Sequence, residues 1–137
     1  MPVYETSDQF YATLRQLFER VREETPNPVD ALVSTRLAIR LQLSQPQAVI
    51  TIYGRRRPVE IAYGNSSPIS QQRADLEAEL TADTLHYILL DELSLKKAIA
   101  NRQLKVRGPV WRTKPLAEIL DQGKKHYPQI LREQGLG

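Results

Sequence analysis

Residues 78–109 read AELTADTLHYILLDELSLKKAIANRQLKVRGP, and their order of signals decides the fold. Leu76, Ala78 and Leu80 alternate with Asp75, Glu77, Glu79 and Thr81, which is the period of a strand with one apolar and one acidic face. Thr81 is a helix N-cap, Asp83 stands in the first turn where the helix dipole favours a carboxylate, and Leu85, Ile88 and Leu89 make one apolar stripe. A break near Asp91 to Leu93 precedes a second helix carrying Leu95, Ala98 and Ile99. The strand Leu104-Lys105-Val106-Arg107 then closes at Gly108-Pro109.

Working outward, Thr6 or Ser7 caps an amphipathic helix over 7–24 with Phe10, Leu14, Leu17, Phe18 and Val21 at helical spacing. Thr25-Pro26-Asn27-Pro28 stops it, because proline removes a donor and turns the preceding residue from the helical region. From Arg36 the period is two, with Leu37, Ile39, Leu41 and Leu43 on one side. Residues 48–53 are apolar on both faces and residues 59–63 alternate again, with Gly54 to Pro58 as a hairpin link. Past Gly108, Leu116, Ile119 and Leu120 mark a helix ending near Gly123, and Pro128, Ile130 and Leu131 mark a last one with Gly135 at its exit. The pattern specifies an α+β fold, a mainly antiparallel sheet covered by helices on one face. The 137 residues form a single domain: the helix 7–24, a core over 30–121 and a helical tail over 122–137.

Composition removes many chemistries. Without cysteine there is no disulfide, thiolate nucleophile or zinc–thiolate site. His86 and His126 lie far apart in sequence and outside metal-ligand spacing, and Asp91-Glu92 point different ways on a helix. No nucleophile elbow, dinucleotide fingerprint or phosphate loop occurs. No catalytic residue, metal or cofactor is therefore assigned. The N-terminus has no signal-peptide pattern, which together with the lack of cysteine gives the expectation of a cytoplasmic protein. Asn65-Ser66-Ser67 reads as a turn.

Charge is segregated along the chain. From Asp75 to Glu92 every charged residue is acidic, and from Lys96 to Lys125 all but Glu118 and Asp121 are basic. Two readings stay open: a solvated surface, or a face for an anionic partner such as a membrane. Arg55-Arg56-Arg57 at the hairpin tip is either a solvated turn or a phosphate contact, but it lacks the interleaved aromatics of a single-strand binder, so nucleic acid is disfavoured. Trp111, the one tryptophan, either lines a pocket mouth or plugs the core edge.

The run from Ser94 to Gly108, with small residues followed by Leu104-Lys105-Val106-Arg107-Gly108, resembles the signature of the sterol carrier protein type 2 domain. The likeness extends over about 30–121 in the order of its elements, and the terminal Glu133 to Gly137 lacks a peroxisomal address, so a bacterial-type stand-alone member is the better comparison. The resemblance implies a five-stranded sheet, helices around a hydrophobic tunnel, and non-enzymatic binding or transfer of a fatty acid, acyl chain or sterol-like lipid. It implies a lining from Ile50, Ile52 and Ile61 in the sheet, from Leu85, Ile88, Leu89, Ala98 and Ile99 in the two central helices, and from Leu104, Val106, Leu116, Ile119 and Leu120 beyond them, with Trp111 at the mouth. A module for a protein partner with a filled core is the alternative.

Overall fold

A computed structural model describes residues 3–136, apart from the side chain of Val110; Met1, Pro2 and Gly137, with the expectations that touch them, lie outside the described residues. Helix α1 is Ser7–Glu23, capped by the Thr6 hydroxyl, which accepts the Gln9 N–H at 3.1 Å. A short helix α2, Pro28–Ala31, follows and is capped by Asn27. The strands are β1 Ala38–Ser44, β2 Ala48–Tyr53, β3 Glu60–Tyr63, β4 Leu76–Thr81 and β5 Leu104–Arg107. Between and after the last two strands come α3 Ala82–Leu89, α4 Leu95–Ala100, α5 Thr113–Gly123 and α6 Tyr127–Glu133.

The five strands form one sheet in the order β3-β2-β1-β4-β5. Every neighbouring pair is antiparallel except β1 and β4, which run parallel with Ile39 opposite Leu76 and Leu43 opposite Leu80. A parallel pair cannot be joined by a tight turn, so after β3 the chain returns to the far side of β1 through residues 64–75. That return passes over the outer face of the sheet, where the 3₁₀ turn Pro68–Gln71 buries Ile69. Arg40 holds it there: its guanidinium donates to the Ser70 and Gln72 carbonyls, at 3.0 and 2.5 Å, and to the Thr51 hydroxyl at 3.2 Å.

The inner face carries the apolar halves of the strand alternations, and the helices cover it. Phe10, Leu14, Leu17, Phe18 and Val21 of α1 join Ile39, Leu41, Ile50, Ile52, Leu76 and Ala78 of the sheet in one continuous buried cluster.

The acidic outer face of β4, expected in water, is paired instead. Glu77 lies opposite both Arg40 and Arg107, and Glu79 lies opposite Lys105. Arg40 approaches Glu77 to 3.8 Å and Arg107 approaches Glu79 to 3.3 Å. Cross-strand pairing of opposite charge is the physical reason, since an acidic strand between two strands with basic outer residues gains on both sides.

Asp75 fixes where β4 begins. Its backbone N–H donates to the Ala38 carbonyl at 2.8 Å, and its carboxylate accepts the Ala38 N–H, also at 2.8 Å. The Arg55 guanidinium grips the same carboxylate oxygen at 3.0 and 3.2 Å. Partial burial works to raise this carboxyl, but the Ala38 N–H and Arg55 outweigh it and hold the group below the usual aspartate range. Gly108 closes β5 against the same point with φ +128°, and a Cβ there would sit 2.8 Å from the Asp75 carbonyl oxygen. Gly108→Ala is therefore expected to cost about 1–3 kcal/mol in denaturant unfolding, from backbone strain and the clash together. Glu79→Ala, which removes only a solvent-facing pair, should cost under about 1 kcal/mol.

Candidate functional site

The space between sheet and helices is set by how β4 passes into α3. The Thr81 hydroxyl accepts the Thr84 N–H at 3.0 Å, so the helix starts where the strand ends and carries Leu85, Ile88 and Leu89 back over the inner face. Asp83, in the first turn, accepts the Val3 N–H at 2.9 Å and ties the N-terminal segment to this helix. Asp91 ends the turn in the left-handed region at φ 63°, and Ser94 caps α4 through the Lys97 N–H. Gly123 closes the layer: an added Cβ would meet Leu89 at 3.3 Å and Leu17 at 3.4 Å, so its bare backbone lets α5 approach both α1 and α3. It stands at the end of α5 for packing, not for a left-handed turn.

Of the positions expected to line an interior, Ile50, Ile52, Leu85, Ile88, Leu89, Ala98, Leu104, Leu116, Ile119 and Leu120 are buried, and all belong to the one cluster. Ile61 and Val106 are half-buried and pack against it, as expected of the edge strands β3 and β5. Two positions differ. Ile99 is 38 % exposed, because the six-residue helix α4 presents Ala98 inward and turns its neighbour to solvent. Trp111 is 66 % exposed and so does not plug the core edge; it sits in the 3₁₀ turn Val110–Arg112 with the Arg112 guanidinium 5.1 Å from its ring centre.

Sequence reading missed the polar chain inside the apolar cluster. The Tyr4 and Tyr127 hydroxyls are 2.6 Å apart, and Tyr127 is 2.7 Å from Nδ1 of His86. With the imidazole neutral, the Tyr127 hydroxyl donates one hydrogen bond and accepts the other. The ring of Tyr4 also stacks edge-on against Phe10 at 5.1 Å. Burial pushes the Tyr4 hydroxyl up to about 12 and raises Tyr127 further, so both stay protonated. Burial lowers the pKa of His86, against the opposing pull of Asp83 and Glu92. His86, expected at a boundary, is thus a buried link joining the N-terminal segment, α3 and α6. Two tyrosines and a histidine this far apart in sequence give no local pattern that would reveal it.

Two of the three hairpin arginines, Arg55 and Arg56, are engaged within the fold. Arg55 holds Asp75, Arg56 pairs with Glu60 at 2.8 Å, and both lie over the Tyr53 ring, at 5.9 and 5.5 Å. His126 pairs with Glu24 at 3.1 Å. Among the described residues no three His, Cys, Asp or Glu side chains gather as a metal site would require, and no helix is long and apolar enough to cross a membrane.

Tyr127→Phe strands the His86 nitrogen in the core and takes from the Tyr4 hydroxyl its tyrosine partner, with an expected loss of about 1–3 kcal/mol in chemical denaturation. Below pH about 6.5 the unfolded chain takes up a proton on His86 that the folded core resists, so stability falls as pH drops through that range. Melting temperature measured from pH 7.5 to 5.5 should fall less in His86→Gln than in the parent chain.

Neither the family models nor the curated proteins match this sequence. Solved structures match its backbone. Sterol carrier protein 2 from Yarrowia lipolytica superposes with a TM-score of 0.62 at 16 % identity, over 86 % of this chain and 91 % of that one. The sterol carrier protein domain 2 of Helicoverpa armigera gives 0.62 at 14 % identity, over 81 % and 84 %. A sec-alkylsulfatase from Pseudomonas sp. matches with 0.51 at 23 % identity, over 69 % of this chain but 14 % of that enzyme. The order of strands and helices read from residues 78–109 thus belongs to an architecture shared along almost its whole length, and the chain has the sterol carrier protein 2 fold.

Proposed function

We propose that this protein binds an apolar lipid between its sheet and its helix layer and passes it on without chemical change. The observation that carries this reading is the near full-length match of the backbone to proteins described as sterol carriers, combined with an inner face built almost wholly of aliphatic side chains. Within that interior the Tyr4 and Tyr127 hydroxyls and Nδ1 of His86 are chained by hydrogen bonds, so these atoms serve the core's own polar satisfaction.

Burying a methylene gains about 0.8 kcal/mol, so a sixteen-carbon chain leaving water gains on the order of 10 kcal/mol before ordering costs. A bilayer offers nearly the same, which leaves exchange between protein and membrane close to balanced. Entry requires helices to move off the sheet, since the aliphatic residues touch one another in the closed form. Helix α4 suits contact with an anionic membrane during that exchange: Ile99 is exposed beside the exposed Lys96 and Lys97. Sedimentation with anionic vesicles should weaken in high salt and in the variant Lys96→Glu with Lys97→Glu; binding indifferent to both would remove the membrane step.

A second reading, a protein-partner module with a permanently filled core, is favoured by the close fit around Gly123. Native mass spectrometry of gently purified protein separates the two. The expected result is a mass increment that solvent extraction identifies as fatty acid, phospholipid or polyisoprenoid at about one per chain, or uptake of added palmitic acid. A bare mass with no uptake would favour the filled module.

A further inference from the structure

Where β4 begins and β5 ends, an open pocket of about 490 Å³ is lined by Arg73, Asp75, Glu77, Arg107, Gly108 and Arg112. Its charges do not balance locally. The Asp75 carboxylate is held by Arg55 and the Ala38 N–H and also feels Arg112, and Glu77 lies 3.8 Å from Arg40 and opposite Arg107, so both acids are shared between groups inside and outside the pocket. Arg107 leans on Glu79 from an exposed position. Arg73 is exposed and makes no hydrogen bond or ion pair among the described residues. Arg112 donates one bond, from a terminal nitrogen to the neutral Asp75 carbonyl at 2.9 Å, and its Nε is buried with no acceptor. Three guanidinium groups thus line one recess with two carboxylates that are also drawn to Arg55 and Arg40, which leaves an excess of positive charge there, and Gly108 gives the recess its floor, since any side chain there would run into Asp75. The exposed indole of Trp111 is the chain neighbour of Arg112, whose guanidinium lies 5.1 Å from its ring centre.

We infer that this recess is a binding site for a phosphate group, held by the forks of Arg73 and Arg112 with Arg107 at the edge. Its neighbour Trp111 offers an apolar surface to whatever the phosphate is attached to. The site lies on the opposite side of β4 from the aliphatic interior and does not depend on what that interior holds.

The single tryptophan makes the test direct. Its fluorescence is followed while inorganic phosphate replaces chloride at constant ionic strength, and separately while dihexanoyl phosphatidylglycerol is added below its micelle concentration. The ¹⁵N–¹H resonance of the Arg112 Nε is read in parallel. A saturable response to inorganic phosphate, weakened at least about tenfold in Arg73→Glu but unchanged in Arg57→Glu, establishes the site with free phosphate as a ligand. The same pattern with the short lipid alone assigns the phosphate to a lipid headgroup. No response to either compound, or a response that survives Arg73→Glu, overturns the inference. Because Arg73 is exposed and unpaired, its substitution leaves the fold in place, which far-ultraviolet circular dichroism verifies.

Discussion

Asp75 is the joint on which the architecture depends. Both of its hydrogen-bonding ends are spent on Ala38, which sets β4 beside β1 in the one parallel pairing of the sheet. Its carboxylate also holds Arg55 from the β2–β3 hairpin, and its carbonyl holds Arg112 from the turn before α5. Four segments distant in sequence therefore meet at one residue. With β4 fixed there, Thr81 falls where α3 must start, and the inner stripe of that helix lands on the sheet. A slip of one residue between β1 and β4 would turn Leu76, Ala78 and Leu80 outward and their acidic neighbours into the core.

The same joint explains the charge pattern. Part of the separation of acidic and basic residues along the chain arises because Glu77 and Glu79 belong to one strand and Lys105 and Arg107 to its neighbour. Arg40, Glu77, Glu79, Lys105 and Arg107 interleave across β1, β4 and β5 once the register is set. Such exposed pairs contribute modestly to stability, but like charges in those places would oppose the register, so they act mainly on its specificity. Among the charges left over after that pairing are the arginines of the recess beside Gly108 and the lysines of α4.

Much of this was legible in the sequence. Period-two runs and the doubly apolar run 48–53 located the strands, Thr81 marked the passage into α3, and the order of elements between Ala78 and Pro109 pointed to the fold. Ten of the positions expected inside lie in the buried cluster, because alternation and helical spacing report burial directly. The failures share a cause. Ile99 belongs to a helix too short for periodicity to choose its inner face, and Trp111, for which a pocket mouth and a core plug both stayed open, sits in a turn with no periodicity to decide between them. The Tyr4–Tyr127–His86 chain and the Asp75 joint are made by residues that only the tertiary fold brings together, and no spacing rule reaches that far.

The sheet and helix layer carry aliphatic side chains on both inner faces, and the proposed role requires that these part to admit a lipid chain. The most direct measurement is methyl nuclear magnetic resonance of isoleucine-labelled protein titrated with palmitic acid. Shifts or new nuclear Overhauser contacts to the ligand at Ile50, Ile52, Ile88 and Ile119, with the exposed Ile99 little affected, are the result expected of an interior that opens. Unchanged signals from those four, or effects confined to Ile99, would contradict it.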